Sequence, residues 1–106
     1  MRLALIFAVV IHGLIHFLGF AKAFNLLTVT ELTQPISRST GIFWFQAALL
    51  FLFVAAGILI KKDWWWMLAI VAVILSQFLI IGNWHDAKVG TFLNVLILCA
   101  AIIGYA

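Results

Sequence analysis

Two histidines stand four residues apart in an apolar stretch near the start of the chain. His12 and His16 lie in the segment VVIHGLIHFLGF, whose other residues are apolar or glycine. Side chains at positions i and i+4 share one face of a helix, so the two imidazoles can act on a single ligand. Ionisable side chains inside an apolar helix are costly, and they commonly mark a functional site.

Three kinds of ligand suit such a pair. A metal ion can bind two histidines at this spacing, as in H-E-x-x-H helices, but here the intervening residues are Gly-Leu-Ile. A third metal ligand would have to come from His85 or Asp86, roughly 10 Å away along the helix axis. Haem needs histidines on facing helices, which this chain supplies only in a symmetric dimer. A quinone, or another small lipophilic molecule, needs an apolar slot and a histidine or amide to bind its carbonyl.

Several classes of function are excluded. The chain shows no serine or cysteine paired with a base, no glycine-rich phosphate loop and no paired carboxylates. We therefore expect no enzymatic activity from the chain on its own. The net charge is +3, but the six basic residues are scattered, so we expect no nucleic-acid partner.

The composition indicates that the main solvent is lipid. The chain has 106 residues, of which 68% are hydrophobic and only 8% are charged. Soluble domains carry roughly 25% charged residues, so these few charges cannot cover a soluble surface of this size. The lipid bilayer is therefore the first expected partner.

Four apolar runs are long enough to cross a bilayer as helices, which takes about 20 residues each. They cover residues 3–23, 41–60, 64–82 and 89–105. The runs are continuous, whereas spanning strands would alternate. We predict a single all-α domain over residues 1–106, an integral membrane four-helix bundle with antiparallel up-down topology. The connection over residues 24–40 is expected to lie along the membrane interface.

The orientation follows from weak signals. The basic residues divide evenly between the two sides, so the positive-inside rule decides little. The Lys61–Lys62 pair favours cytoplasmic termini. The WWW segment beside these lysines is typical of an interfacial aromatic belt, and Trp44 and Trp84 are expected to mark the opposite boundary.

Each apolar run places one polar residue at a similar depth, roughly 7 to 10 Å below the side that carries the long connection. These residues are His16, Gln46, Gln77 and Asn94, and His12 lies one turn deeper. We predict that the five form an intramembrane ligand pocket. Its mouth is predicted to hold Arg38, Asn83, Trp84, His85, Asp86 and Lys88. The alternative is that the polar layer is interhelical glue, which is common in membrane bundles.

Three segments carry a resemblance to a known family. The stretches HGLIHFLGFAKAF, LTQPISR and NWHDAKVGTFLNVLIL make the chain similar to small four-helix bacterial membrane proteins grouped as DoxX-like. The chain is similar, more closely still, to the membrane-spanning head of some bacterial proteins with an HG-x-x-H first helix and a W-x-DAK-x-GT turn, and this resemblance covers nearly the whole chain. It implies a bacterial inner-membrane location and, because some DoxX relatives are membrane subunits of quinone-reducing oxidoreductases, a quinone link. The matching turn positions are Trp84, Asp86, Ala87, Lys88, Gly90 and Thr91. Apart from the resemblance, Gly90 permits a tight turn and Thr91 can cap the fourth helix.

The leading hypothesis is a small multi-pass membrane protein that binds a lipophilic or small ligand and serves a redox partner. The cofactor stays open, with quinone and haem as alternatives, and no metal site is expected. A second hypothesis is a structural or accessory subunit that joins other membrane subunits or a homo-oligomer. A third is an oligomeric channel or transporter, which would need several copies to form a pore.

Overall fold

All regular secondary structure in the residues that the structure describes is helical. The computed structural model describes residues 2–24, 26 and 36–105, and for Arg2, Asp86 and Tyr105 it describes the backbone alone. The helices are α1 (Arg2–Ala23), α2 (Arg38–Leu59), α3 (Trp65–Gly82), α4 (Trp84–Ala87) and α5 (Gly90–Tyr105). No strand occurs within these ranges, so the predicted all-α class is confirmed for them.

The second long helix begins three residues before the apolar run does. Ser37 is its N-cap, and the Ser37 hydroxyl accepts a hydrogen bond from the Thr40 backbone N–H at 3.2 Å. A serine at this position satisfies one of the unpaired N–H groups at a helix start. Residues 38–40, predicted as part of the connection, are therefore helical. Residues 27–35 lie outside the described part of the chain, and their interfacial position stays a prediction.

The two short connections are tightly built. After α2, the Lys61 backbone takes a left-handed φ of 58°, and the Lys62 N–H donates to the Gly57 carbonyl at 2.9 Å. This hydrogen bond gives a partner to a carbonyl that would otherwise lack one at the end of the helix. After α3, the predicted turn contains the one-turn helix α4, and the Lys88 N–H donates to the Trp84 carbonyl at 3.1 Å.

Two apolar clusters lie one above the other in the bundle. The larger cluster draws on all four long helices and includes Val9, Phe51, Val54, Ala69, Ala72, Val73, Ile97 and Ala101. The smaller cluster is formed by Trp44, Ala47 and Leu79. Ser76 lies between them along α3, and His12 and His16 follow Val9 along α1. The buried polar residues therefore occupy the level between the two clusters.

The outer surface is apolar on every long helix. Phe78 is 72% exposed, and Phe92 and Ile103 are each 74% exposed. Three helical segments are long and apolar enough to cross a membrane, namely Leu3–Ala23, Arg38–Leu59 and Trp65–Gly82, while Gly90–Gly104 is shorter. Contiguous apolar surface on this scale is typical of a protein that faces lipid. The prediction of a membrane protein with a helical bundle is supported at this level.

The first two helices approach closely where glycine replaces a side chain. A Cβ on Gly19 would lie 2.5 Å from Cδ2 of Trp44, so the indole occupies the space that a side chain would take. A Cβ on Gly13 would lie 3.1 Å from Cβ of Phe51. Small residues allow this approach between helices in lipid, where close packing provides much of the attraction.

The Gly19 contact can be tested by adding one methyl group. Gly19→Ala should lower the free energy of unfolding in detergent by about 1–3 kcal/mol, because the new Cβ overlaps Trp44. Gly82→Ala is the matched control, since no atom lies within 4 Å of a Cβ built there. Reversible unfolding followed by circular dichroism measures both variants. Equal stability of the two would contradict the assigned packing.

Candidate functional site

His12 is buried and joined to the last helix. It is 1% exposed, and its Nε2 lies 2.7 Å from Oδ1 of Asn94. An amide oxygen can only accept, so His12 Nε2–H is the donor. In the neutral ring, Nδ1 of His12 is then an acceptor, and it has no hydrogen-bond partner among the described residues.

His16 continues the same network toward the third helix. Its Nδ1–H donates to the backbone carbonyl of His12 at 2.7 Å, which leaves Nε2 as an acceptor. Nε2 of His16 lies 2.7 Å from the Ser76 hydroxyl, which therefore donates. Ser76 in turn accepts from Nδ2 of Asn94 at 3.1 Å. The four residues form a closed ring of hydrogen bonds, which we call the polar circuit.

A branch extends the circuit toward the surface. The second N–H of the Asn94 amide donates to Oε1 of Gln77 at 3.0 Å, and Nε2 of Gln77 donates to the Thr91 hydroxyl at 3.2 Å. Thr91, which the sequence suggested as a helix cap, is thus an acceptor for Gln77. Circuit and branch together join α1, α3 and α5.

The second long helix faces the circuit with aromatic rings. The Phe51 ring centroid lies 4.8 Å from that of His12 and 5.2 Å from that of His16. The Trp44 ring lies 5.1 Å from His16. The two imidazoles themselves meet edge to face at 4.6 Å. The imidazoles are therefore held in place by hydrogen bonds on one side and by packed rings on the other.

The predicted pocket residues are brought together only in part. His12, His16, Gln77 and Asn94 belong to the circuit or its branch, whereas Gln46 is exposed on the outside of α2. Each residue turns about 100° around a helix, so a shared depth does not give a shared direction. The expectation that every helix supplies one polar group to the layer is wrong for α2.

Trp44 takes the inward position on α2. It was expected at the membrane boundary, but its side chain is only 4% exposed and packs inside the bundle. The spacing of Trp44, Ala47, Ala48 and Phe51 marks one buried helix face. That spacing was present in the sequence and was the signal that could have identified Trp44.

Four of the predicted mouth residues lie on the surface of the bundle. Arg38, Trp84, His85 and Lys88 are exposed, and Asn83 is buried at the end of α3. The Arg38 guanidinium lies 5.9 Å from the centre of the Phe24 ring. The side chain of Asp86 lies outside the described residues.

A cavity of about 210 Å³ lies beside the circuit. It is lined by Ile15, His16, Leu18, Gly19, Trp44, Ile80, Ala87, Val89, Gly90 and Leu93. His16 is thus the one predicted pocket residue in its wall. Ile15 and Val89 are 46% and 68% exposed, so the cavity reaches the outer surface between α1 and the start of α5.

Gly90 shapes this cavity by its lack of a side chain. A Cβ there would lie 2.9 Å from Cδ1 of Ile80 and 3.4 Å from Cε1 of His12. Its backbone does not take a positive φ, so the glycine serves close approach and not the tight turn expected from the sequence. The start of α5 can therefore lie directly against the histidine layer.

A second, larger hollow lies on the outside of the bundle. It measures about 580 Å³ and is lined by Trp84, Lys88, Val89, Thr91, Phe92, Val95 and Leu96. None of these side chains is buried. The hollow is an outer groove, whereas the smaller cavity reaches the buried polar layer.

The histidine pair is poorly arranged to chelate a metal ion. Three of its four ring nitrogens are already hydrogen-bonded, and His16 has no nitrogen left. Within the described ranges, no group of three or more His, Cys, Asp or Glu side chains is placed to hold a metal. The geometry therefore indicates that these imidazoles join the helices by hydrogen bonds rather than bind a metal ion.

The circuit can be tested at its smallest member. Ser76→Ala removes the donor to His16 and the acceptor for Asn94, so we expect a loss of about 1–2 kcal/mol in the free energy of unfolding. Ser39→Ala, at an exposed position on α2, should change it by less than about 0.5 kcal/mol. Unfolding in mixed micelles compares the two. Indistinguishable stabilities would show that the circuit does not hold the bundle together.

Comparison with known proteins gives no relative from which a role can be transferred. The chain matches no protein-family model, no curated protein and no solved structure. The resemblance to DoxX-like proteins therefore stays a prediction.

Proposed function

We propose that this chain is a four-pass membrane protein that binds a small lipophilic molecule in the cavity beside the polar circuit. One observation carries the proposal. The cavity extends from an apolar outer surface, at Ile15 and Val89, to a buried wall that contains His16 and Trp44. Binding sites for small molecules are typically apolar hollows with a few fixed polar groups.

The size of the cavity limits the ligand. A cavity of roughly 150 Å³ in a protein core can hold benzene. A volume of about 210 Å³ therefore suits one substituted ring, with any longer tail left outside. A quinone ring belongs to this class, and the resemblance to DoxX-like proteins makes a quinone with a redox partner the first member to test.

The opening favours entry from the lipid. Ile15 lies in the middle of α1, a helix long and apolar enough to cross a bilayer. A molecule dissolved among acyl chains would reach the gap between Ile15 and Val89 without passing through water. The circuit keeps His16 fixed during this step, because both of its ring nitrogens are occupied.

The proposal includes four membrane crossings. The bundle is 39 Å long, which approaches the thickness of a bilayer with its interfaces, about 40–45 Å. The fourth crossing, α5, has 16 residues and a length of about 24 Å. We place the chain in a bacterial inner membrane in an up-down arrangement, with the turn after α2 in the cytoplasm.

The orientation can be tested with single cysteines. In a Cys99→Ser background, Lys62→Cys should resist a membrane-impermeant maleimide added to intact bacterial cells. Lys88→Cys should be labelled, since it lies after the next crossing. Both lysines are exposed, so burial does not confuse the result. Labelling of Lys62→Cys but not Lys88→Cys would reverse the assigned orientation, and equal labelling before lysis would contradict the crossing by α3.

The ligand site can be tested by closing its entrance. Native mass spectrometry of the protein released from mild detergent should show a reproducible extra mass. Ile15→Trp should lose that mass, because the indole would fill the gap between α1 and α5. Ile11→Trp is the matched control, one turn earlier and 52% exposed but not in the cavity wall. Loss in both variants, or in neither, counts against the cavity as the binding site.

One observation favours a second function, that of an accessory subunit whose polar layer only holds the bundle. The four-residue circuit is closed within one chain, as interhelical glue would be. On this hypothesis the released protein carries no small molecule and copurifies with another membrane protein. Replacing His12 and His16 with leucine would then change stability or assembly alone.

A further inference from the structure

A third hollow lies at the end of the bundle where α2 turns into α3. It measures about 330 Å³ and is lined by Leu5, Ile58, Lys61, Lys62, Asp63 and Trp65. These residues come from the start of α1, the end of α2, the turn that follows and the start of α3. The cavity beside the polar circuit shares none of them, so this hollow, which we call the turn pocket, is a separate site.

The turn pocket lies where two apolar helices end. Both α2 and α3 are long and apolar enough to cross a membrane, and residues 60–64 connect them. In the proposed four-pass arrangement this turn lies among lipid headgroups, a level at which tryptophan is common. Trp64 is 39% exposed there, and the Trp65 ring occupies the space that a side chain on Gly104 of α5 would take. The charged residues of the pocket are therefore at the level of the headgroups.

The turn pocket carries a net positive charge. Lys61 and Lys62 each supply one positive charge and Asp63 supplies one negative charge, so the three residues together carry +1. All three are exposed, and within the described ranges neither lysine forms an ion pair. A phosphodiester carries one negative charge, so a single lipid phosphate would neutralise the pocket. Basic pockets between membrane helices bind anionic headgroups in this way.

The rest of the lining is apolar. Ile58 is 3% exposed and belongs to the larger apolar cluster, and the half-buried Leu5 and Trp65 pack against that cluster. A phosphate ion from solution gains nothing from such a wall. The glycerol backbone and first methylene groups of a lipid bury apolar surface against it, which is favourable. The lining therefore favours a phosphate that is attached to a lipid.

The backbone at Lys61 supports a ligand role by a separate route. Its φ of 58° lies in the left-handed region, where glycine is the usual residue at the end of a helix. Residues other than glycine in this conformation store strain, and they cluster where a ligand is held. Glycine would end α2 with less strain, but it would remove a cation from the turn pocket.

We propose that the turn pocket binds the headgroup of an anionic phospholipid, whose phosphate accepts hydrogen bonds from Lys61 and Lys62. The inference rests on the proposed membrane crossings and does not require a ligand in the cavity beside the polar circuit. A zwitterionic lipid binds less well, because its own ammonium group leaves the positive charge of the pocket without a counter-charge.

The probes are phosphatidylglycerol and phosphatidylethanolamine with the same acyl chains. The full chain is reconstituted in vesicles that contain the two lipids in equal amounts, extracted in mild detergent and weighed by native mass spectrometry. The unchanged protein should retain about fivefold more phosphatidylglycerol, since one lysine near an anionic headgroup contributes about this factor. Replacing both lysines, as Lys61→Gln with Lys62→Gln, should abolish the preference.

The matched control combines Arg38→Gln with Lys88→Gln. These exposed residues lie at the other ends of α2 and α3, so the same charge is removed away from the turn pocket and the preference should persist. Lys61→Gly is a second test variant that does not depend on the double variant folding. Its unfolding temperature should be no lower than that of the unchanged protein, because glycine relieves the left-handed backbone, yet its preference for phosphatidylglycerol should fall.

The remaining outcomes separate this inference from the proposed function. Equal retention of the two lipids by the unchanged protein overturns the inference, as does a preference that survives in the lysine variants or is lost in the control. Displacement of the lipid by inorganic phosphate, beyond that by chloride at the same ionic strength, also overturns it, because the pocket would then recognise phosphate alone. These results leave the membrane crossings intact, whereas a chain that fails to enter the vesicles contradicts both the crossings and the lipid site.

Discussion

The structure depends on one constraint: a polar group inside an apolar bundle must find its partner within the bundle. His12 and His16 are almost completely shielded, and the surrounding surface is apolar. Three of their four ring nitrogens are paired, with Ser76 on α3, Asn94 on α5 and the backbone carbonyl of His12. An apolar interior offers no water to replace a lost partner, so this pairing fixes how three helices rotate toward one another. Once the helices have this rotation, the two apolar clusters pack above and below the buried polar residues.

The same pairing explains why a cavity can persist next to the histidines. Because the His16 ring is fixed at both nitrogens, it cannot swing into the adjacent space. Gly19 and Gly90 let Trp44 and Ile80 pack directly on the backbone beside that space, since a side chain at either position would overlap them. A rigid polar wall and missing side chains together produce a hollow that ordinary core packing would fill.

The sequence predicts the helices and the inward direction of the histidines well, because length, hydropathy and the cost of buried polar groups are local properties. It fails for the rotation of α2. Depth along the axis placed Gln46 in the layer, but Gln46 is exposed and Trp44 is buried. Hydrophobicity marks no inward face on a helix whose outer side is also apolar. Side-chain size does mark it, as Ala47, Ala48 and Ala55 show.

The start of α5 shows a second limit. From the sequence, Gly90 suggested a tight turn, but its position against Ile80 and His12 shows a need for space. From the sequence alone, a glycine that allows an unusual backbone conformation looks the same as a glycine that lets a neighbour pack closely, because both roles follow from the missing Cβ. Only the neighbour's position decides between them. That Nε1 of Trp44 has no hydrogen-bond partner could not be predicted from the sequence either, since it depends on which atoms lie near the indole nitrogen.

The polar circuit takes members from α1, α3 and α5 and none from α2. That helix meets the histidines through Trp44 and Phe51, by ring contacts whose energy changes gradually with position. The helices α1, α3 and α5 are thus joined by directional hydrogen bonds, whereas α2 packs against them through ring contacts. A small shift of α2 along its axis would therefore widen or narrow the cavity without breaking any hydrogen bond of the circuit.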